Sequence, residues 1–113
     1  MIKALIIEDE SLIARELQYK IGEINQDIEI IQVLPSIRAA VRWFMENPEP
    51  DLIFADIQLG DGTSFEIFSQ FQLTCPVIFT TAYDEYAIQA FKVNGIDYLL
   101  KPVDSDELAR AIQ

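Results

Sequence analysis

The sequence contains no histidine and only one cysteine, Cys75, among its 113 residues. Without histidine, the chain cannot itself form Ser-His or Cys-His catalytic pairs or a histidine metal site. A single cysteine likewise excludes an intrachain disulfide and a thiolate zinc site. Cys75 precedes Pro76 at the start of an apolar run, so we expect a reduced, structural thiol rather than a reactive one.

Basic residues are scarce, because 8 lysines and arginines face 19 acidic residues and the formal net charge is −11. A phosphate backbone is bound by clustered Lys and Arg, so this charge argues against direct binding of nucleic acid. The sequence also lacks an apolar run long enough to span a bilayer, and its first ten residues do not fit a secretory signal peptide. We therefore expect a cytoplasmic protein without membrane contact.

Apolar residues, by contrast, make up half of the sequence, enough for one domain with a single core. Short apolar runs predict five strands, over Ile2–Glu8, Ile28–Leu34, Asp51–Asp56, Pro76–Thr81 and Asp97–Leu100. The segments between them predict helices that begin at Ser11 and after a cap at Ser36, cover Ser64–Phe71 and Asp84–Asn94, and close the chain from Asp104. Strands that alternate with helices indicate an α/β domain with a parallel sheet covered on both faces.

Apolar residues recur along three of the predicted helices. They are Ile13, Leu17, Ile21 and Ile24 in the first helix, Ala40, Val41, Phe44 and Met45 in the second, and Phe65, Phe68 and Phe71 in the third. Gly95 is typical of a helix end and predicts that the fourth helix stops there.

Polar side chains lie at the carboxyl ends of the predicted strands. Glu8 and Asp9 follow the first strand, Asp56 ends the third, Thr81 ends the fourth, and Lys101 follows the fifth. In doubly wound sheets, ligands bind beyond these ends, near the point where the strand order reverses. Crowded carboxylates repel one another, and a hard divalent cation such as Mg²⁺, which prefers oxygen ligands, relieves the repulsion.

This set of groups suits a carboxylate that is itself phosphorylated. Aspartate can act as a nucleophile toward phosphorus, and a cation can neutralise the carboxylate and the phosphoryl group together. Lys101 and the Thr81 hydroxyl could bind the phosphoryl oxygens. Each residue has an ordinary alternative. Asp56 could end a strand before a turn, the acidic run could be a helix N-terminal charge bias, Thr81 could be strand composition, and Lys101 could be a surface charge.

At these residues the chain resembles the receiver domain of two-component response regulators. The matching segments are "LIIEDE", "LIFADIQL", "VIFTTAYDEYA" and "GIDYLLKPVD". The sequence is most similar to the receivers of LytTR-type transcription regulators. The resemblance implies one receiver domain over residues 1–113 with the flavodoxin-like (βα)5 fold, a doubly wound five-stranded parallel sheet of strand order 2-1-3-4-5. An effector domain is not present in this chain.

The resemblance implies roles for the residues at the strand ends. Asp56 is the expected phospho-acceptor, and Lys101 matches the lysine of the family motif. Glu8 and Asp9 match the acidic pair that holds Mg²⁺, with Asp9 as the favoured direct ligand. Asp56 and the backbone carbonyl of Gln58 complete the implied metal ligands.

The resemblance also implies roles for residues of the switch and beside it. Thr81 matches the switch hydroxyl, with Thr80 as the neighbouring alternative, and Ala82 supplies a backbone N–H to the phosphoryl group. Tyr98 matches the switch aromatic, and the peptide bond before Pro102 is typically cis in the family.

The resemblance also implies the partners. A sensor histidine kinase donates the phosphoryl group, and the domain catalyses only its own phosphorylation and dephosphorylation. Phosphorylation favours a homodimer through the helix at Asp84–Asn94 and the strand and helix that follow it. The apolar residues Tyr86, Ile88, Phe91 and Val93 cannot all be buried on one stripe of that helix. DNA is bound only through the absent effector domain.

Two other classes share parts of this pattern. Aspartate-nucleophile phosphatases typically carry a second Asp two residues after the nucleophile, where this chain has Gln58. Flavodoxin-like cofactor-binding modules need a phosphate-binding loop after the first strand, and "EDESL" would repel a phosphate. The chain also departs from common receivers, because the loop "IQLGDG" is shorter and lacks their Met-Pro pair, which leaves its shape open.

Overall fold

The computed structural model describes residues 1–71, 73–82, 95–101 and 103–112, without the side chains of residues 95–98 and 100. The predicted helix Asp84–Asn94 and the residue Pro102 lie outside the described residues. In chain order the elements are β1 (Ile2–Ile7), α1 (Ser11–Ile24), β2 (Ile28–Leu34), α2 (Ile37–Glu46), β3 (Leu52–Asp56), β4 (Gln58–Leu59), β5 (Gly62–Thr63), α3 (Phe65–Gln70), β6 (Val77–Thr81), β7 (Gly95–Leu100) and α4 (Ser105–Ile112).

Five of these strands form one parallel sheet in the order β2-β1-β3-β6-β7. Apart from the short β4–β5 hairpin, this is the predicted order 2-1-3-4-5, so the predicted flavodoxin-like α/β fold is confirmed. The central strands β3 and β6 are buried along their whole length. Burial on both faces explains why they are continuous apolar runs in the sequence instead of alternating ones.

Successive strand residues point to two separate halves of the core. Ile7, Ala55 and Phe79 pack with residues of α2 and α3 on one face of the sheet. Their neighbours in the chain, such as Ile6 and Phe54, pack with residues of α1 and α4 on the other. The sheet is therefore the middle layer of three, and its carboxyl edge is the place where side chains can leave the core.

The helices follow the predicted period with local corrections. In α1 the buried residues include Leu17 and Ile21, as predicted, but also Ala14, whereas Ile13 and Ile24 are only half-buried. In α3 the fully buried residue is Ile67, because the half-buried Phe65, Phe68 and Phe71 lie on either side of it.

At the start of α2 the predicted cap is confirmed, since Ser36 Oγ accepts a hydrogen bond from the Ala39 N–H at 3.0 Å. Of the apolar residues that the sequence places on this helix, Met45 is 74% exposed, whereas Ile37 is buried. A ten-residue helix needs only one narrow apolar stripe, and Met45 lies beyond the edge of it.

Two features of the backbone were not predicted, the start of β7 and the β4–β5 hairpin. Strand β7 begins at Gly95 and not at Asp97, because Gly95 already pairs with Val77 of β6. The loop after β3 contains the β4–β5 hairpin, in which Gln58 pairs with Thr63 in antiparallel fashion. Gly62 has a φ of 138°, a conformation that glycine adopts without strain.

Cys75 lies at the opposite end of the sheet from the predicted site, just before β6. Its thiol is buried, and burial together with the Glu49 carboxylate raises its pKa to about 12. These properties fit the structural role predicted for it.

None of the helices in the described part of the chain is long and apolar enough to cross a membrane.

Ile67→Ala tests the packing of the short helix α3. Ile67 is fully buried among the residues between α2, α3 and the sheet, so the variant should lose about 2–5 kcal/mol of unfolding free energy. Urea denaturation followed by circular dichroism measures the loss. Met45→Ala is the matched control on an exposed helix position and should stay within about 0.5 kcal/mol of the wild type. Equal losses in the two variants would contradict this packing.

Candidate functional site

Four neighbouring strands bring the candidate site together at the carboxyl edge of the sheet. Glu8 follows β1, and its backbone N–H donates to the Leu34 carbonyl of β2 at 3.0 Å. Asp56 is the last residue of β3, in register with Thr80 of β6. Lys101 follows β7, and its N–H donates to the Thr81 carbonyl at 2.7 Å. Backbone pairing thus fixes where each side chain starts.

Lys101 is the charge that joins the two buried carboxylates. Its Nζ lies 2.8 Å from Glu8 Oε1 and 3.1 Å from Asp56 Oδ2. The Glu8 and Asp56 side chains are 2% and 8% exposed, and that of Lys101 is 18% exposed. Close contact at low exposure makes these ion pairs stronger than pairs on an open surface.

Burial and crowding shift the pKa values of all three groups. Burial raises the pKa of Glu8 to about 7, in spite of the hydrogen bond from Lys101. Burial also raises the pKa of Asp56, although the Lys101 ammonium opposes the change. Burial alone would lower the pKa of Lys101, but its hydrogen bond to Glu8 and the charge of Asp56 raise it. A single ammonium, that of Lys101, therefore pairs with two carboxylates, so these three groups together carry an excess of negative charge.

A third carboxylate, that of Asp9, lies beside this pair. One oxygen each from Glu8, Asp9 and Asp56 lie within 4.8 Å of one another, and Asp9 is exposed to solvent. These donors are all hard oxygens, the ligand type that Mg²⁺ prefers. Three carboxylates beside one lysine leave negative charge that a divalent cation would balance. The residues therefore fit a magnesium site that solvent can reach past Asp9.

A cavity of about 320 Å³ opens beside these carboxylates. Its lining includes Asp9 and Asp56 together with Gln58, Thr81 and Ala82. The predicted site residues that the structure brings together are Glu8, Asp9, Asp56, Gln58, Thr81, Ala82 and Lys101. The side chain of the remaining one, Tyr98, lies outside the described part of the structure.

The two threonines at the end of β6 face different spaces. Thr81 lines the cavity beside Asp56 and Asp9. Thr80 lines another cavity, of about 340 Å³, between α1 and the stretch that precedes α4. Alternation along a strand sends neighbouring side chains to opposite faces, so the geometry favours Thr81 over Thr80 as the hydroxyl near Asp56.

Sequence reasoning missed one residue near the site, Asp61. Its carboxylate accepts hydrogen bonds from the first N–H groups of α2. The local signal was an aspartate between two glycines shortly after Asp56, but the pattern gives no hint of its partner 24 residues away in the chain.

Comparison with known proteins gives a consistent result. Residues 4–113 match the family described as the response regulator receiver domain. Over the whole chain, the sequence is 38% identical to the sensory transduction protein LytT of Bacillus anthracis, of which it covers 46%. It is 37% identical to the transcriptional regulatory protein LytR of Staphylococcus aureus, with 97% of the chain and 45% of that protein covered. The chain thus spans about half the length of these relatives.

Solved structures agree in fold. The response regulatory domain of mrkE from Klebsiella pneumoniae has a TM-score of 0.85 and 30% identity, with 98% of this chain and 92% of that chain covered. A response regulator receiver domain protein from Clostridium thermocellum has a TM-score of 0.82 and 27% identity, with 99% and 91% covered. The predicted resemblance is confirmed, and the chain belongs to the response regulator receiver domain family.

Proposed function

We propose that this receiver domain is a phospho-accepting switch in which Asp56 takes a phosphoryl group from the phosphohistidine of a sensor histidine kinase. As the receiver domain of a response regulator, the chain belongs to two-component signalling. The observation that carries the proposal is the contact of 3.1 Å between Lys101 Nζ and Asp56 Oδ2, at the edge of a cavity that also holds Asp9.

In the proposed reaction, an Asp56 carboxylate oxygen attacks the phosphorus atom. The new O–P bond forms as the P–N bond of the phosphohistidine breaks, and the imidazole leaves with the electron pair of that bond. Lys101 contacts the carboxylate already and would pair with a phosphoryl oxygen after transfer. Its positive charge also favours the ionised form of Asp56 that the attack requires, against the effect of burial.

Mg²⁺ would be held by Asp9, Glu8 and Asp56 with the backbone carbonyl of Gln58. When bound, it supplies positive charge that neutralises the attacking carboxylate and the phosphoryl oxygens together. The support is the donor set, because three carboxylates converge on one side of the site.

The switch itself rests on the end of β6. The Thr81 hydroxyl and the Ala82 N–H would donate to phosphoryl oxygens, since both residues line the cavity beside Asp56. A shift of Thr81 toward the phosphoryl group would vacate space for Tyr98 to turn inward. The Lys101 N–H is bonded to the Thr81 carbonyl, so both residues would respond to the new charge together.

This change would favour a homodimer through the 84–94 segment, β7 and α4. It would also control a DNA-binding effector domain beyond this chain. The support is the dimer face that the resemblance to receivers implies, the length of the relatives, which is about twice that of the chain, and the name of one of them, transcriptional regulatory protein LytR. A cytoplasmic location belongs to the same proposal.

The geometry favours this function over an enzyme or a cofactor carrier. Aspartate-nucleophile phosphatases of external substrates typically carry an acid two residues after the nucleophile, and Gln58 stands there. A phosphate-bearing cofactor would meet Asp9 and Glu10, which line the same cavity. Catalysis would be confined to phosphorylation of Asp56 and hydrolysis of its own acyl phosphate.

Asp56→Asn tests the acceptor. The wild type, treated with acetyl phosphate and Mg²⁺, should gain the mass of one phosphoryl group, whereas the variant should not gain it stoichiometrically, because an amide lacks the nucleophilic oxygen. Intact-protein mass spectrometry measures the gain. Asp51→Asn, which changes an exposed aspartate at the other end of β3, is the control and should label like the wild type. Equal labelling of Asp56→Asn and the wild type would refute the assignment.

Mg²⁺ tests the cation site through the melting temperature. A ligand at ten times its dissociation constant stabilises the native state by about 1.4 kcal/mol, which corresponds to roughly 5–6 °C in a domain of this size. Scanning calorimetry with and without Mg²⁺ measures the rise, and Asp56→Ala should reduce it. An unchanged wild-type melting temperature in millimolar Mg²⁺ would be incompatible with the site.

The Mg²⁺-induced rise in melting temperature should also depend on pH. Because the pKa of Glu8 is raised from 4.5 to about 7, the folded protein keeps a proton there that the unfolded chain releases. The metal-free protein therefore loses this contribution to stability as the pH rises from 4.5 through 7. A cation must displace that proton, so the Mg²⁺-induced rise in melting temperature should be larger at pH 8 than at pH 6.

A further inference from the structure

The β4–β5 hairpin after Asp56 is fastened at its tip to the start of α2. A helix leaves its first N–H groups without intrahelical partners. Ser36 Oγ accepts a hydrogen bond from the Ala39 N–H. The Asp61 carboxylate accepts hydrogen bonds from the N–H groups of the two residues that precede Ala39. The Ile37 N–H donates to Asp61 Oδ1 at 3.0 Å, and the Arg38 N–H donates to Oδ2 at 3.2 Å. The hairpin thus supplies the half of the cap that Ser36 leaves open.

Two features make this fastening close. The negative charge of Asp61 lies at the positive end of the α2 dipole, and the hydrogen bond from the Ile37 N–H lowers the pKa of the Asp61 carboxyl. Gly62, the next residue, lies so near α2 that a Cβ atom there would approach Ile37 Cδ1 to 3.0 Å. The tip of the hairpin therefore fits against the first turn of α2 with little free space.

The base of the hairpin is fastened to the sheet. The Ile57 N–H donates to the Thr80 carbonyl of β6 at 3.0 Å, and the Ser64 N–H donates to the Ile57 carbonyl at 2.8 Å. Between base and tip, each strand of the hairpin has only two residues. So short a hairpin is not stable by itself, and its position depends on contacts at both ends.

The side of the hairpin opposite its fastening faces the candidate cation site. Gln58 lines the cavity with Asp56 and Asp9. A Cβ atom at Gly60 would lie 3.7 Å from Asp9 Oδ2, which is ordinary contact distance. Asp61 follows Gly60 directly, so a shift of the tip away from α2 would also move Gly60, which lies near Asp9.

We propose that Asp61 is a positioning residue for the cation site: by fastening the hairpin to α2 it holds the Gln58 backbone beside Asp9 and Asp56. The inference rests on the proposed function, since it concerns the same cation site. A helix cap alone would affect only stability. The proposal instead requires that loss of Asp61 weakens cation binding beyond any effect on folding.

The test compares three variants. Asp61→Ala removes both acceptors, and Asp61→Asn keeps one oxygen and so part of the fastening. Asp51→Ala is the matched control, because Asp51 is also an exposed carboxylate that accepts a backbone hydrogen bond, from the Lys3 N–H at 2.9 Å. It lies at the opposite end of β3, and its loss changes the net charge by the same amount.

Cation binding is measured without any phosphoryl donor, by titration of each folded protein with Mn²⁺ followed by electron paramagnetic resonance. Loss of a group that hydrogen-bonds a metal ligand typically weakens metal binding about 10–100-fold. Asp61 bonds to α2 and not to a ligand, so we expect Asp61→Ala to reach about the lower end of that range. Asp61→Asn should fall between Asp61→Ala and the wild type. Asp51→Ala should bind Mn²⁺ like the wild type, whatever its loss of stability in urea.

Phosphorylation by acetyl phosphate gives a second readout. If Asp61 positions the site, Asp61→Ala should need more Mg²⁺ for half-maximal rate and should recover most of the maximal rate at saturating Mg²⁺. If Asp61→Ala fails to fold, Asp61→Asn still tests the proposal through the same two measurements.

The outcomes separate the two proposals. Unchanged Mn²⁺ affinity in both Asp61 variants, with normal binding by the wild type, overturns the positioning role and leaves the proposed function intact. Equal losses in Asp61→Asn and Asp61→Ala also overturn it, because the loss would then follow the charge and not the fastening. Absence of Mn²⁺ binding and of phosphorylation in the wild type removes the proposed function itself.

Discussion

The contacts of the Lys101 ammonium with Glu8 and Asp56 are the interaction on which the rest of the site depends. Both carboxylates follow fully buried residues, Ile7 and Ala55, so the apolar strands carry them into a place where unpaired charge is costly. Replacement of a buried ion pair by apolar side chains is often neutral or stabilising. Stability therefore gives little reason for three ionisable groups here, and the proposed chemistry toward a cation and a phosphoryl group would give a specific one.

Strand order explains why this interaction could be predicted. Strands buried on both faces are continuous apolar runs, and their ends are visible as the first charged or hydroxyl residue. Once the order β2-β1-β3-β6-β7 is assumed, the ends of four neighbouring strands meet. Glu8, Asp56, Thr81 and Lys101 were found in this way. That Lys101 contacts Glu8, 93 residues away, and not the exposed Asp9, depends on burial at the edge, which strand order alone does not give.

The parts that could not be predicted are fixed by backbone partners distant in the chain. Strand β7 starts at Gly95 because β6 offers partners there, although a glycine after a helical pattern indicates a helix end. The strands of the β4–β5 hairpin are too short to show a periodic pattern in the sequence. The tip of the hairpin is hydrogen-bonded to α2, because both oxygens of the Asp61 carboxylate accept from N–H groups of that helix. Met45 shows a limit of helical periodicity. The period predicts an apolar stripe along the helix, but it does not predict how wide the buried part of that stripe is.

The short loop after Asp56 differs from the corresponding loop of common receivers. Receivers commonly carry a longer loop with a Met-Pro pair, and proline limits the freedom of the backbone. This chain has no proline there, and its loop is held instead at both ends, by β6 at Ile57 and by α2 at Asp61. A short loop with fixed ends has few conformations left. The departure from the common sequence therefore leaves Asp56 and Lys101 unchanged, and the shorter loop beside Asp56 has hydrogen bonds to both β6 and α2.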